Sequence, residues 1–194
     1  MADSKDLFFI ALLPPGEVQN FATQVKQHFA EVYQSRHALK SPPHITLYPP
    51  FKWEVEKIPN LEQTLETFAL TQSSIPVTLE GFGAFSPRVI YINVLKNAEL
   101  LNLQKALMRE LEESLNLVDQ RSQNRPFSPH MTVAFRDLTK ANFRLAWEEY
   151  QNQKVNFNFM ISSLTLLRHT GKRWEIKRQF PYSDLAPNCH ITLK

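Results

Sequence analysis

Ser41-Pro42-Pro43-His44-Ile45-Thr46-Leu47 recurs in outline, far along the chain, as Phe127-Ser128-Pro129-His130-Met131-Thr132-Val133. Both segments read Pro-His-apolar-Thr-apolar. In an extended strand, residues two positions apart lie on the same face. Each segment therefore predicts a strand that buries its two apolar residues and presents an imidazole beside a hydroxyl on the other face. The prolines suit a strand start, because proline cannot donate a hydrogen bond to a neighbouring strand.

The composition is typical of a globular protein of one or two domains. Of the 194 residues, 43% are hydrophobic and 21% are charged. The formal net charge of +3 and the isoelectric point near 9.0 suit an anionic ligand such as RNA or a nucleotide, and they suit a mildly basic surface without a partner equally well. The charge density is far below that of a histone-like nucleic-acid binder.

Cysteine content and hydropathy bear on the compartment. Cys189 is the single cysteine, so no disulfide can form within the chain and a reducing compartment is the natural setting. The first residues lack a basic region followed by a long apolar run, and no stretch approaches the length of a membrane span. We expect a cytoplasmic monomer that makes no contact with a membrane.

Hydrophobic periodicity predicts strands and helices along most of the chain. In chain order we expect a buried strand over 7–13, a helix over 17–33, the first His-x-Thr strand, a helix over 61–70, strands over 75–85 and 89–95, a helix over 100–115, the second His-x-Thr strand, a helix over 140–150, a long strand over 155–167 and a closing strand over 174–180. Gly81 and Gly83 indicate a β-bulge or a close backbone approach.

The same order of elements occurs twice. Each half reads strand, helix, His-x-Thr strand, helix and a strand-turn-strand unit. Duplicated units usually pack around a pseudo-two-fold axis, which brings equivalent residues face to face. We therefore expect a single domain over residues 1–194, made of two pseudo-symmetric lobes that each contribute one His-x-Thr strand to a shared cleft.

Two imidazoles on opposite sides of a cleft can divide acid-base work. Because the unperturbed pKa of histidine is about 6.5, one ring can be neutral while the other is protonated near neutral pH. Phosphodiester hydrolysis needs that division, with one ring taking a proton from water and the other giving one to the departing ribose oxygen. His44 and His130 are the candidate catalytic residues. The hydroxyls of Thr46 and Thr132 can bind the non-bridging phosphate oxygens.

Other uses of histidine fit the sequence less well. His190-Ile191-Thr192 also reads His-x-Thr, but it lies in the C-terminal tail outside the repeated framework, and we interpret it as a chance match. A catalytic zinc usually has three protein ligands, whereas two histidines converge here and neither HExxH nor CxxC spacing occurs. We expect no metal or other cofactor, and a Walker-type phosphate loop is absent. His169 is expected to be solvated in a turn.

The paired motifs in a duplicated framework resemble the 2H phosphoesterase superfamily, in particular its 2′-5′ RNA ligase and cyclic phosphodiesterase branch. The resemblance extends over nearly the whole chain. It implies an α+β fold in which two antiparallel sheets flank a central cleft, with helices on the outside. It also implies cofactor-free, metal-independent opening of 2′,3′-cyclic phosphates, with His130 as the base, His44 as the acid, and Thr46 and Thr132 as phosphate ligands.

One position departs from the family pattern. Many relatives carry an arginine soon after the second motif, in a run resembling HxTLAR, whereas here Phe135 holds that register and Arg136 follows it. A shift of one residue along a strand turns a side chain to the opposite face. Arg136 is therefore a candidate substrate-binding residue whose register predicts a position away from the phosphate.

Aromatic and basic residues near the motifs are further candidates for substrate contacts. Tyr48, Phe51, Trp53 and Phe127 could stack on a base, and each could equally belong to the core. Basic residues in predicted loops could steer an RNA backbone or simply be solvated: Arg36, Lys40, Lys52, Arg88, Arg121 and Arg125.

Three functions remain open on the sequence alone. The first is hydrolysis of 2′,3′-cyclic phosphates on RNA ends or of related nucleotide phosphodiesters, with 2′-5′ RNA ligation as the reverse reaction. The second is a phosphodiesterase for a small nucleotide such as an ADP-ribose cyclic phosphate or a 2′-5′ oligonucleotide. The third is an RNA-binding module without efficient catalysis, although a pure binding site would not need both histidines.

Overall fold

The computed structural model describes residues 4–120 and 126–183, which form eight β-strands and four α-helices. In chain order these are β1 Lys5–Leu12, α1 Gly16–Val32, β2 Ile45–Glu54, α2 Ile58–Leu70, β3 Ile75–Phe85, β4 Val89–Val94, α3 Ala98–Leu115, β5 His130–Ala134, α4 Lys140–Tyr150, β6 Asn156–Ile161, β7 Ser163–His169 and β8 Trp174–Pro181. The predicted order of elements is confirmed except at one strand. No helix in these ranges is both long and apolar enough to cross a membrane.

The strands form two antiparallel sheets of four strands each, in the orders β2-β1-β7-β8 and β5-β4-β3-β6. This confirms the predicted α+β class. The first motif begins β2 at an edge of one sheet, and the second motif begins β5 at an edge of the other. Each motif strand pairs with the strand one helix earlier in the chain, so β1-α1-β2 and β4-α3-β5 are equivalent units.

The two motif strands meet where the sheets approach each other. β2 and β5 are in direct contact, α1 contacts β5, and α3 contacts β2. Each helix therefore packs against the motif strand of the other unit. Four leucines of α3 belong to the core, since Leu100, Leu103, Leu107 and Leu111 are buried.

The long strand predicted over 155–167 is wrong, because the run forms two strands in different sheets. β6 pairs with β3, whereas β7 pairs with β1. Ser162 is exposed between them. Neither glycine nor proline marks the break. Burial alternates along β6 and is continuous through the middle of β7. Consequently each sheet is assembled from both halves of the chain.

One glycine of β3 forms the predicted β-bulge, and the other makes room for a neighbouring aromatic side chain. Gly81 has a φ of +63° and lies within the register shift between Leu79 and Phe82, which is a β-bulge. Gly83 pairs with Tyr91 of β4, and a Cβ added to Gly83 would lie 2.4 Å from Cε2 of that ring. The absence of a side chain at Gly83 is what leaves room for Tyr91.

We expect Gly83→Ala to lower the free energy of unfolding by about 1–3 kcal/mol, as overpacking does. The added methyl group would overlap the Tyr91 ring, which is packed against Phe85 and His130. Equilibrium unfolding in urea measures the change. Gly16→Ala is the control, because nothing lies within 4 Å of its added Cβ. A Gly83→Ala protein as stable as the wild type would contradict this packing argument.

Candidate active site

The predicted alternation of faces is present on both motif strands. On β2 the apolar residues Ile45 and Leu47 are buried, and on β5 Met131 and Val133 are buried. The histidine and the threonine of each motif are partly exposed on the other face. The alternation of side chains along each strand thus places the apolar residues in the core and the histidine and threonine on the accessible face.

Both imidazoles are held by the backbone that precedes them. Nδ1 of His44 lies 2.7 Å from the carbonyl oxygen of Pro42, and Nδ1 of His130 lies 2.7 Å from that of Ser128. A carbonyl oxygen only accepts, so each Nδ1 carries a hydrogen and donates it. In the neutral ring Nε2 therefore has the lone pair. The proline between the carbonyl and the histidine restricts the preceding residue to extended conformations, which helps to fix the carbonyl.

Two adjoining cavities contain the four motif side chains. The larger has a volume of about 540 Å³ and is lined by His44, Thr46 and Thr132. The smaller has a volume of about 390 Å³ and is lined by Thr46 and His130. Because Thr46 lines both, the cavities form one cleft. The structure therefore brings together the four residues that the repeated motif singled out.

Aromatic rings pack against both imidazoles. The ring centroid of Phe9 lies 4.7 Å from that of His44, and those of Phe85 and Tyr91 each lie 5.1 Å from that of His130. Burial disfavours the charged imidazolium. It lowers the pKa of His44 to about 4 and also lowers the pKa of His130, while the Nδ1 hydrogen bonds oppose both shifts. Both rings are therefore neutral at pH 7 in the free protein.

Lys26 is a candidate functional residue, acting through the pKa of His44, that the sequence analysis missed. It is 1% exposed on the core side of α1, and its Nζ donates to the carbonyl oxygen of Ser41, 3.1 Å away. Burial lowers the pKa of Lys26 to about 7. After burial, the charge of Lys26 is the next cause of the low pKa of His44. The sequence did contain a signal for this role, because Lys26 lies between Val25 and Phe29 on an otherwise apolar face of the helix.

Arg136 lines the larger cavity, and its predicted position away from the reacting phosphate stays a prediction. The prediction assumed a continuing strand, but β5 ends at Ala134. Beyond that residue the strict alternation of faces no longer applies. Arg136 has a φ of +60°, so the chain turns here, and its Nη1 lies 3.2 Å from Nε2 of His37.

The remaining candidates divide between the core and the cleft. Tyr48 and Phe51 are 2% and 9% exposed and pack against each other, so their rings are not open to a base. Phe127 lines the smaller cavity, and Lys40 lines the larger one. Other predicted candidates line neither cavity: Arg36, Lys52, Trp53 and Arg88. The rest lie outside the described residues: Arg121, Arg125 and His190-Ile191-Thr192.

Three further ring side chains line the larger cavity: His37, His169 and Trp174. His169 is partly exposed; its ring packs 4.9 Å from Trp174, and its Nδ1 accepts from the N–H of Gly171. These residues come from the turn after α1 and from the β7–β8 hairpin, which no local pattern connects with the motifs. Within 4–120 and 126–183, no group of three or more His, Cys, Asp or Glu side chains could hold a metal ion.

Comparisons with known sequences agree on one group of proteins. The family model described as the 2′-5′ RNA ligase superfamily matches residues 14–173. A protein of Geobacillus sp. (strain WCH70) named "Putative phosphoesterase" is 31% identical over 160 residues, 81% of this chain and 85% of that protein. Its namesake in Geobacillus kaustophilus (strain HTA426) is 30% identical with the same coverage.

Solved structures share the fold. TT0787 of Thermus thermophilus superposes with a TM-score of 0.69 at 19% identity, over 93% of this chain and 100% of that one. E. coli LigT complexed with 3′-AMP gives a TM-score of 0.67 at 19% identity, over 93% and 99% of the two chains. At this level of identity the similarity concerns the arrangement of the strands and helices.

We expect Lys26→Met to raise the pKa of His44, because it removes a positive charge that opposes protonation of the ring. NMR titration of the imidazole resonances measures this pKa. Lys96→Met is the control, since Lys96 is exposed and lines neither cavity. An unchanged pKa of His44 in Lys26→Met would contradict the coupling.

The same variant should alter the stability of the protein in acid. The pKa of His44 falls from 6.5 in the unfolded chain to about 4 in the folded protein. Between these values the unfolded chain binds more protons, so the free energy of unfolding decreases as the pH falls. If Lys26→Met raises the pKa of folded His44, the pH range between the folded and unfolded pKa values becomes narrower. The free energy of unfolding then decreases less as the pH falls. Urea unfolding at pH 7 and pH 4.5 would detect the difference.

Proposed function

The chain belongs to the 2′-5′ RNA ligase superfamily of 2H phosphoesterases, and we propose that it opens 2′,3′-cyclic phosphates of RNA ends or nucleotides by metal-independent, two-histidine catalysis. One observation carries this proposal. Each imidazole is tied through Nδ1 to a carbonyl oxygen, which leaves Nε2 free beside a threonine in the cleft. A general base and a general acid both work through such a free ring nitrogen.

In the proposed reaction a neutral imidazole takes a proton from water while the water oxygen attacks the phosphorus of the cyclic diester. The bond from phosphorus to one ribose oxygen breaks, and the protonated imidazole gives its Nε2 proton to that oxygen. The product is a phosphomonoester beside a free hydroxyl, and the two histidines have exchanged protonation states. A 5′-hydroxyl that attacks in place of water would instead join two RNA chains.

The phosphate itself contributes to the catalytic state. Thr46 and Thr132 can donate to the non-bridging oxygens, on which negative charge develops in the transition state. Bound phosphate also favours the charged form of a nearby imidazole. The substrate thereby raises the pKa of the acid, which burial keeps neutral in the free protein.

The surroundings of the two rings favour His44 as the base and His130 as the acid, the reverse of what the resemblance implied. Burial lowers the pKa of both, but His44 also experiences the charge of Lys26. The ring that is harder to protonate is better suited to start the reaction as the neutral base.

The size of the cleft supports a nucleotide as the recognised unit. The larger cavity, of about 540 Å³, lies in the usual range for small-molecule sites. Structures of E. coli LigT complexed with 3′-AMP, NADP+ and ATP support nucleotide binding here as well. A phosphodiesterase for small nucleotides is therefore the second candidate. A third candidate, an RNA-binding module without efficient catalysis, does not explain why both imidazoles have the same hydrogen bond to a preceding carbonyl oxygen.

We expect His44→Ala and His130→Ala each to lower kcat for a short RNA ending in a 2′,3′-cyclic phosphate by about 100- to 10,000-fold, the usual contribution of a general acid or base. The assay is run in EDTA, and the product is identified by mass and phosphatase sensitivity. His28→Ala is the control, because His28 lines neither cavity. Wild-type protein that binds this RNA without cleaving it would favour the binding-module hypothesis.

A substrate with a better leaving group separates the two histidine roles. The p-nitrophenolate of an aryl phosphodiester departs without needing a proton, so loss of the general acid should matter little for that substrate. We expect His130→Ala to retain most of its aryl diesterase activity and His44→Ala to lose activity on both substrates. The opposite pattern would assign the base to His130, as the resemblance implied.

A further inference from the structure

Basic side chains line the part of the larger cavity formed by the turn after α1, the end of β5 and the β7–β8 hairpin. They are His37, Lys40, Arg136, His169 and Lys172, and no aspartate or glutamate of the described residues lines this cavity. The chain as a whole has 22 lysines and arginines against 19 aspartates and glutamates. A lining with only basic ionisable groups is therefore a local feature and does not follow from the composition.

Neighbouring arginines outside the cavity are neutralised, whereas Arg136 is not. Arg168 pairs with Asp6 at 2.6 Å, and Arg173 pairs with Glu175 at 3.1 Å. In the described part of the chain, no carboxylate lies within ion-pair distance of the Arg136 guanidinium. The contacts of this group are with another basic side chain, His37, and with the ring of Phe135.

The nearest acidic residue in sequence has another role. Asp137 accepts through Oδ1 from the hydroxyl of Ser35 at 3.0 Å, and through Oδ2 from the N–H groups of Arg36 and His37, both at 2.9 Å. These bonds tie the turn after α1 to the segment after β5. Asp137 thus holds His37 and Arg136 close together while its own oxygens are occupied by other donors.

The basic groups also act on one another. Burial lowers the pKa of His37, and the charges of Arg136, Lys40 and His169 lower it further, while only Asp137 opposes them. An arrangement in which positive groups disfavour each other's charge is stabilised by an anion placed among them.

The geometry points to a second anion subsite, formed by His37, Arg136 and His169 and flanked by Lys40 and Lys172, that binds a second phosphate of the substrate. This inference rests on the proposed function, which places the reacting phosphate at the two motifs. Guanidinium and imidazole groups that converge on one cavity suit a phosphate group.

Aromatic rings lie between the two motifs, where the reacting phosphate would bind, and the proposed subsite for the second phosphate. Phe9 packs against His44 at 4.7 Å and against Trp174 at 4.6 Å, and Trp174 packs against His169 at 4.9 Å. Trp174 lines the cavity and is partly exposed, whereas Phe9 is 3% exposed and supports the Trp174 ring from the core. The nucleoside would therefore lie against Trp174. The second phosphate would be a terminal 5′-phosphate or the diester that precedes the last nucleotide of an RNA.

The test compares kcat/KM for adenosine 2′,3′-cyclic phosphate with and without a 5′-phosphate, and for a dinucleotide that ends in the cyclic phosphate. We expect the 5′-phosphate to raise kcat/KM about tenfold or more, a typical effect of charge-assisted hydrogen bonds. A similar gain for the dinucleotide assigns the subsite to the RNA backbone, and a gain for the 5′-phosphate alone assigns it to a terminal phosphate. Both gains should disappear at high salt.

Variants connect the preference to the named residues. Arg136→Met and Lys172→Met should each reduce the preference for the second phosphate several-fold, whereas Arg144→Met, at an exposed arginine of α4 outside the cavity, should not. Lys172 lies in an exposed turn, so its variant stays informative if Arg136→Met folds poorly. Equal losses with and without the second phosphate would overturn the subsite, as would a wild-type protein that shows no preference.

A binding measurement keeps this inference separate from the proposed reaction. Calorimetry compares adenosine 3′,5′-bisphosphate with 3′-AMP on wild-type protein and on both variants. Tighter binding of the bisphosphate, lost in the variants, supports the subsite even if no cyclic phosphate is cleaved. Cleavage together with equal affinity for the two ligands overturns the subsite and leaves the proposed reaction standing.

Discussion

Each candidate imidazole is tied through Nδ1 to the carbonyl oxygen two residues before it, at 2.7 Å in both motifs. This bond fixes the tautomer and the direction of the ring without a second side chain. In many histidine-dependent enzymes a carboxylate does this work and also stabilises the imidazolium. A neutral carbonyl stabilises it less, so the burial of His44 and His130 is decisive and both pKa values fall. In the proposed reaction the phosphate of the substrate favours the charged imidazole that acid catalysis needs.

The motif strands can hold these rings because both lie at sheet edges. An unpaired edge normally invites aggregation unless something covers it. Here β2 and β5 contact each other, and α1 and α3 each pack against the motif strand of the opposite unit. The cleft is therefore the place where the two sheets meet. The β7–β8 hairpin completes the sheet that contains β2, and it brings His169 and Trp174 to a site that the motifs alone would not enclose.

The sequence predicted the parts of this arrangement that depend on local periodicity. Alternation placed Thr46 and Thr132 on the face opposite the core, and duplication predicted one cleft for both motifs. Local periodicity did not reveal the break at Ser162. No glycine or proline marks this break, and β6 and β7 differ only in the strands with which they pair. The sequence pattern also did not bring Arg136 to the cavity, since strand register carries no information beyond the strand end at Ala134. Such residues reach the cleft through long-range packing.

The distribution of charge supports the proposal that a protein with a net charge of only +3 binds an anion at one place. Exposed charges are screened by water or paired at the surface, as between Arg168 and Asp6, and such pairs contribute little free energy. In the cleft, by contrast, Arg136 faces His37 without a carboxylate, and Lys26 lowers the pKa of His44 from beneath. Lys26 is buried, which makes its interaction with His44 stronger than it would be in water. In the proposed reaction a phosphate that enters the cleft would relieve both interactions, so binding the substrate would also favour the charged form of the acid.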